Sequence, residues 1–113
     1  MTRSREPRMT LPTQLVLRVL MADPARELYG LQICGEAGLP SGTIHPILAR
    51  LERVGWLSSR WETVDTREEG RPRRRYYRID PAAMGLVHAA LLRAESSAQG
   101  LGRLRPHLAD GAS

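Results

Sequence analysis

Two groups of side chains in this 113-residue chain have the types and spacing to do chemistry. The first is "GRPRRRYYR", Gly70 to Arg78, where Arg73, Arg74 and Arg75 stand in succession before two tyrosines. Guanidinium groups so crowded repel one another, and a polyanion relieves that repulsion. Each arginine that neutralises a phosphate releases condensed counterions, which gives affinity without sequence preference, and arginine also suits a narrow minor groove. The second is "SGTIHPILARLERVGW", Ser41 to Trp56. Ile44, Ile47, Leu48, Leu51 and Val54 recur on one side of a helix, and the opposite side carries Gly42, His45, Pro46, Ala49 and Arg53. A helix that faces water collects long charged residues; this one presents small residues, an imidazole and a proline, which suit close approach to another surface. Ser41, Gly42 and Thr43 are short enough for the backbone to reach base edges and phosphates. Thr43 and His45 can donate hydrogen bonds to them, with Arg50 at one flank.

Other chemistries lack their residues. His45, His88 and His107 are far apart and have no zinc-ligand spacing. No serine or cysteine nucleophile stands in a recognisable motif, and there is no glycine-rich phosphate loop. We therefore expect no catalytic residues, no metal and no cofactor, and an enzyme is the least favoured class. Cys34 is the single cysteine; no intrachain disulfide can form, which fits a reducing cytoplasm. The start, "MTRSREPRMT", has no apolar core of a secretory signal, and no apolar run approaches the roughly 20 residues that cross a bilayer. A cytoplasmic chain without a membrane partner is expected.

The net charge of +5 matters for where it sits. Residues 1–10 carry an excess of two positive charges and residues 67–78 an excess of four, while the remainder sums to −1. Excess charge confined to an arm and one internal loop is how a nucleic-acid footprint is distributed. The chain contains no lysine, and compositional bias explains that choice but not the clustering.

The elements that must position these residues follow from periodicity. Residues 1–9 read as a flexible basic arm. Thr10 and Pro12 open a helix, "LPTQLVLRVLMAD", that is apolar on two sides and so has two packing partners. After "DPARE", the stretch "LYGLQICGEAG" reads as a second helix, and Gly38 to Pro40 as a tight turn. The Ser41 segment is the third helix, closed by Gly55. Its cap is left open: with Gly42 or Thr43 as cap, Pro46 falls in the first turn, whereas with Ser41 it removes one backbone bond. Past Gly55 the period becomes two in "WLSSRWET" and "RRRYYRI", which predicts a β-hairpin with the polar tip "VDTREEGRP". Trp56 and Trp61 are expected in core and hairpin packing, with ligand stacking the alternative. Asp80 and Pro81 open a last helix with an apolar seam at Met84, Val87, Leu91 and Ala94. That seam, with Leu15 and Val19 on the second side of the first helix, predicts a dimer interface; a helix folded back on its own domain is the alternative. The fold class expected is mainly α with a β-hairpin wing: a winged helix-turn-helix over residues 10–79, a dimerisation helix over 80–99 and a flexible tail over 100–113. In a helix-turn-helix the second helix enters the major groove, which assigns the DNA contacts to Ser41, Thr43, His45, Pro46 and Arg50, and the backbone or minor-groove contacts to Arg73, Arg74 and Arg75.

"ELYGLQI", "LPSGTIHPILARLERVGWL" and "GRPRRRYYRID" resemble, in order and spacing, the three signature segments of the PadR family of winged-helix transcriptional regulators. The resemblance runs from about Leu11 to Leu92. It implies a homodimer on a palindromic operator in double-stranded DNA, with repression relieved by a small-molecule inducer or another signal, and the short C-terminal part resembles the small subgroup with one dimerising helix. Three positions depart from the pattern. His45 stands where a tyrosine is usual, Asp80 where a threonine opens the last helix, and that helix has no tryptophan of the kind some small members use to stack flat ligands. The rival reading is a winged-helix interaction module that docks an acidic protein, distinguished by whether duplex affinity depends on sequence.

Overall fold

The structure, a computed structural model, describes the backbone of residues 6–112 and the side chains of residues 6–98. Of the expected basic arm, Arg3 and Arg5 lie outside the described residues. Helix α1 spans Leu11–Met21. Thr10 caps it: its hydroxyl accepts from the Thr13 N–H at 3.4 Å, and the two threonine hydroxyls lie 3.0 Å apart. That contact satisfies Thr13, the one buried polar residue among the described residues. Val16, Leu17 and Leu20 are buried along the inner side of the helix.

A two-residue strand, β1 (Leu28–Tyr29), precedes α2 (Gly30–Ala37). The sequence predicted a helix through Leu28 and Tyr29; instead both pair with a later strand, and the helix begins at Gly30, where the Gln32 side chain accepts from the Tyr29 N–H at 3.1 Å. Leu28 is fully buried, and the strand geometry sends it inward. Gly38 ends α2 at φ 69°, in the left-handed region that glycine adopts without strain. Its N–H and that of Leu39 both reach the Cys34 carbonyl, at 2.9 and 3.1 Å.

Helix α3 covers Ser41–Arg53 and buries Ile44, Ile47, Leu48 and Leu51. Its N-cap is Pro40, whose carbonyl accepts from Thr43 and Ile44. The helix therefore starts before any of the caps considered from sequence. Pro46 is its sixth residue, and the missing N–H leaves the Gly42 carbonyl without a helical partner. The chain turns at Gly55, φ 84°, and the Trp56 N–H closes on the Leu51 carbonyl at 2.9 Å.

Strands β2 (Leu57–Trp61) and β3 (Arg75–Ile79) form the expected hairpin, and β1 joins the far side of β3, giving an antiparallel sheet of order β1-β3-β2. The register sets Leu57 opposite Ile79, Ser59 opposite Tyr77 and Trp61 opposite Arg75. Leu57, Ile79 and Leu28 close over the helices at the base of the sheet, where all three are buried. The same face carries Tyr77 against the edge of the core, and Trp61 and Arg75 out beyond it. The hairpin tip holds a single helical turn, α4 (Thr66–Glu69), capped by Asp65 and ended by Gly70 at φ 67°.

Asp80 caps a short 3-10 turn, Pro81–Ala83, that leads into α5, Met84–Ala112. The backbone of residues 100–112 continues this helix, where a tail was expected, and the side chains there lie outside the described residues. One expected dimer residue is corrected: Val87, with Ala83 and Ala90, is buried in the protomer's own core and has no surface to offer a second copy. Val19 and Leu91 are partly buried and pack on that core, and Leu15 is half-buried. Met84 is 38% exposed, and Leu86 at 61% and Leu92 at 51% are more so. The apolar surface that α5 leaves open is thus rotated away from the seam read from sequence. Among the described residues no helix is long and apolar enough to cross a membrane.

Candidate nucleic-acid interface

Burial of Ile44, Ile47, Leu48 and Leu51 forces the opposite side of α3 outward. Ser41, Gly42, His45, Pro46, Ala49 and Arg50 are exposed on it, and Thr43 is half-buried. Arg50 and Arg53 have no carboxylate partner among the described residues. Arg50 lies towards the end of α3 beside Glu6, Arg8 and Thr10 of the N-terminal segment, with no hairpin residue around it. His45 points to the other side, towards the start of α2. A Cβ placed on Gly30 would stand only 3.1 Å from its Cε1, so the imidazole occupies space that the glycine leaves.

The hairpin sends its three adjacent arginines in three directions, because side chains on a strand alternate between faces. Arg75 turns towards α3. Its guanidinium donates to both Glu52 carboxylate oxygens at 3.0 and 3.1 Å and, through Nε, to the Ser59 hydroxyl at 3.0 Å. Arg74 turns to the other face and lies 4.2 Å over the Tyr29 ring. Arg73, just before the strand, is exposed and has no ion pair among the described residues. Of the three predicted phosphate contacts, the structure therefore leaves Arg73 available, half-engages Arg74 and commits Arg75 to the link between α3 and the wing.

Carboxylates that no sequence motif singles out fix this geometry. Glu62, with a side chain only 12% exposed, takes Arg71 at 2.6 Å, the Arg74 N–H at 3.3 Å and the Tyr76 hydroxyl at 3.2 Å. The Arg71 hydrogen bond is the main cause that holds its pKa down to about 2. On the outer face Glu27 accepts from Arg60 at 2.6 and 3.0 Å, which lowers the glutamate's pKa and raises that of the arginine. The same arginine lies 5.1 Å from the Tyr76 ring, and Tyr76 meets Tyr29 edge-on at 5.8 Å. Arg60, Tyr76, Tyr29 and Arg74 thus form a row of two rings with a cation at each end. Burial pushes the Tyr77 hydroxyl pKa up, so Tyr77 stays neutral on the inner face.

Between α3, the start of α2 and the inner face of the wing lies a cleft of about 590 Å³. Trp56 is buried in the core as expected, but Trp61 is 55% exposed at this cleft, contrary to the packing role read from sequence. The strand runs past the end of the core; the Arg75 guanidinium lies 5.4 Å from the centroid of the indole, and the rest of the ring is open. The described residues hold no group of His, Cys, Asp and Glu side chains suited to a metal ion, and no acid, base and nucleophile come together on this surface.

A PadR family transcription regulator from Clostridium difficile superposes with a TM-score of 0.64 at 17% identity, over 84% of this chain and 98% of that one. BpsR from Bordetella bronchiseptica, in a structure concerned with regulation of its DNA binding by 6-hydroxynicotinic acid, gives 0.64 at 18% identity over 84% and 67%. MepR from Staphylococcus aureus in complex with DNA gives 0.57 at 21% identity over 89% and 79%. At such identities the likeness establishes the winged-helix fold. No curated protein sequence matches this chain. The model of the transcriptional regulator PadR-like family matches residues 16–86, which takes in the outward face of α3, the Glu52–Arg75 link and the whole wing. The chain belongs to the transcriptional regulator PadR-like family.

Proposed function

We propose that two copies of this chain bind a palindromic operator in duplex DNA and repress transcription there, until a small molecule or another signal releases them. The observation that carries this reading is the outer side of α3: short residues and an imidazole at its N-terminal half, and at its C-terminal half two arginines without carboxylate partners among the described residues. Ser41, Thr43, His45 and Pro46 would face base edges in the major groove, with Arg50 on a flanking phosphate. Arg73 would neutralise a backbone phosphate, and Arg74 would add a second contact from its place on Tyr29. Pairing of the copies is supported by the apolar residues that α5 leaves exposed, Met84, Leu86 and Leu92. The DNA complex of MepR and the ligand-regulated DNA binding of BpsR, both similar in fold, support the operator and the release.

The test is a gel-shift titration of the purified protein against its own upstream DNA and an unrelated duplex of equal length, at two salt concentrations. Retention of the upstream DNA at the higher salt, with loss of the unrelated duplex, is the expected result. Equal and equally salt-sensitive binding to both would remove operator recognition and favour the docking of an acidic protein.

A further inference from the structure

A DNA backbone explains the cations around the cleft between α3 and the wing, but not its apolar walls. Trp61 is 55% exposed on one side, and Leu31, at the start of α2, is 72% exposed on the other. A phosphodiester strand carries its rings inside the duplex and has no use for an open indole. The cleft's volume, about 590 Å³, lies in the range of small-molecule sites, about 300–1,000 Å³.

The charge of the lining is one-sided. Arg71, Arg73, Arg74, Arg75 and His45 border the cleft, and none of its described lining residues is acidic. Arg71 and Arg75 are neutralised from outside it by Glu62 and Glu52. Arg73 has no carboxylate partner among the described residues, and Arg74, which borders the cleft from its place over the Tyr29 ring, has none either, so one free and one ring-stacked guanidinium can meet a doubly charged anion. Trp61 and Arg73 also border an adjoining cavity of about 540 Å³ with Pro72 and Thr66, which leaves the indole open on that side as well. A half-exposed indole, with Arg75 at 5.4 Å on part of its surface, next to Arg73 and Arg74 is a pairing that can hold a ring by stacking and a phosphate by charge-assisted hydrogen bonds.

We propose that this cleft binds a free nucleotide, its base against Trp61 and Leu31 and its phosphate on Arg73 and Arg74, so that nucleotide and operator exclude one another. The exclusion rests on the DNA reading given above; the binding of the nucleotide does not.

The experiment is isothermal titration of the full chain with AMP, with adenosine and inorganic phosphate titrated separately. AMP is expected to saturate at one per protomer, with adenosine and phosphate each at least about tenfold weaker because each uses half of the site. Trp61→Ala and Arg73→Gln should each weaken AMP by about tenfold. Leu31→Glu, which adds an acid at an exposed position in the first turn of α2, should do the same without lowering the melting temperature. Absence of a saturable AMP signal, or unchanged AMP affinity in all three variants, would overturn the site. The final arm adds the operator duplex: competition with AMP supports the exclusion. AMP binding untouched by a bound duplex would overturn the exclusion while the site stands, and duplex binding without any AMP signal would overturn the site while the DNA reading stands.

Discussion

Adjacent arginines in the wing should fail in different ways. Arg73 is exposed without an ion pair among the described residues, whereas Arg75 is held by Glu52 and Ser59. Replacing Arg73 with alanine removes one phosphate contact per wing, and the slope of log affinity against log salt should flatten by about 0.9 per contact. Between 50 and 200 mM salt, that contact accounts for roughly a 3.5-fold change in affinity. Arg75→Ala should leave the slope as it is and act on the fold. Its link to Glu52 joins side chains 39% and 30% exposed, so the full value of a buried charged pair does not apply. Discounted for solvent, the pair and its Ser59 bond stabilise by about 1 kcal/mol, which for a domain of this size is a fall of roughly 4–8 °C in Tm. The assay is fluorescence anisotropy on a labelled operator at four salt concentrations, with thermal melts of each variant. A drop of about 0.9 in slope for Arg75→Ala with an unchanged melt would refute the assignment, as would an unchanged slope for Arg73→Ala.

Two further predictions test how the interface is held. Gly30→Ala places a methyl 3.1 Å from the His45 Cε1, so the imidazole must give by a few tenths of an ångström; affinity for the operator should fall more than affinity for an unrelated duplex, measured by paired anisotropy titrations, and an equal loss on both would detach His45 from base reading. Glu62 has its pKa depressed to about 2 from an ordinary 4.5, so the stabilisation it gives the wing is present above about 4.5 and is lost as pH falls through about 2. Its carboxyl carbon, followed by NMR, should show no titration between pH 7 and 5 and a midpoint near 2, whereas a midpoint near 4.5 would mean that Arg71 does not hold it.

The parts of the molecule that announce themselves in sequence are those whose pattern is local. The apolar stripe of α3, the change of period at Gly55 and the alternation of Arg75, Tyr77 and Ile79 each lie within a dozen residues, and the structure has them where they were expected. Other features depend on what lies alongside. Leu28 and Tyr29 are too few to show alternation, and they become a strand only because β3 offers them an edge. Arg73, Arg74 and Arg75 look equivalent in a row; their separate roles appear once the register sets Arg75 towards Glu52 and Arg74 over Tyr29. Val87 belongs to a fair apolar seam, but which side of α5 turns inward is decided by α1. The turn of helix in the hairpin tip did have a signal, Asp65 three residues ahead of the acid pair Glu68 and Glu69, with Gly70 after it, which the polarity of the stretch obscured.

The row of Arg60, Tyr76, Tyr29 and Arg74 bears on the thermodynamics of docking. A long cationic side chain gives up as much as about 2 kcal/mol of rotamer entropy when a partner fixes it. Here three of the wing's cations, Arg60, Arg74 and Arg75, are already set against rings, and Arg60 is also clamped by Glu27, before any polyanion arrives. The wing therefore meets its partner as a finished surface. Its engagement should add no heat-capacity signature of coupled folding of the kind that a disordered basic segment brings to binding.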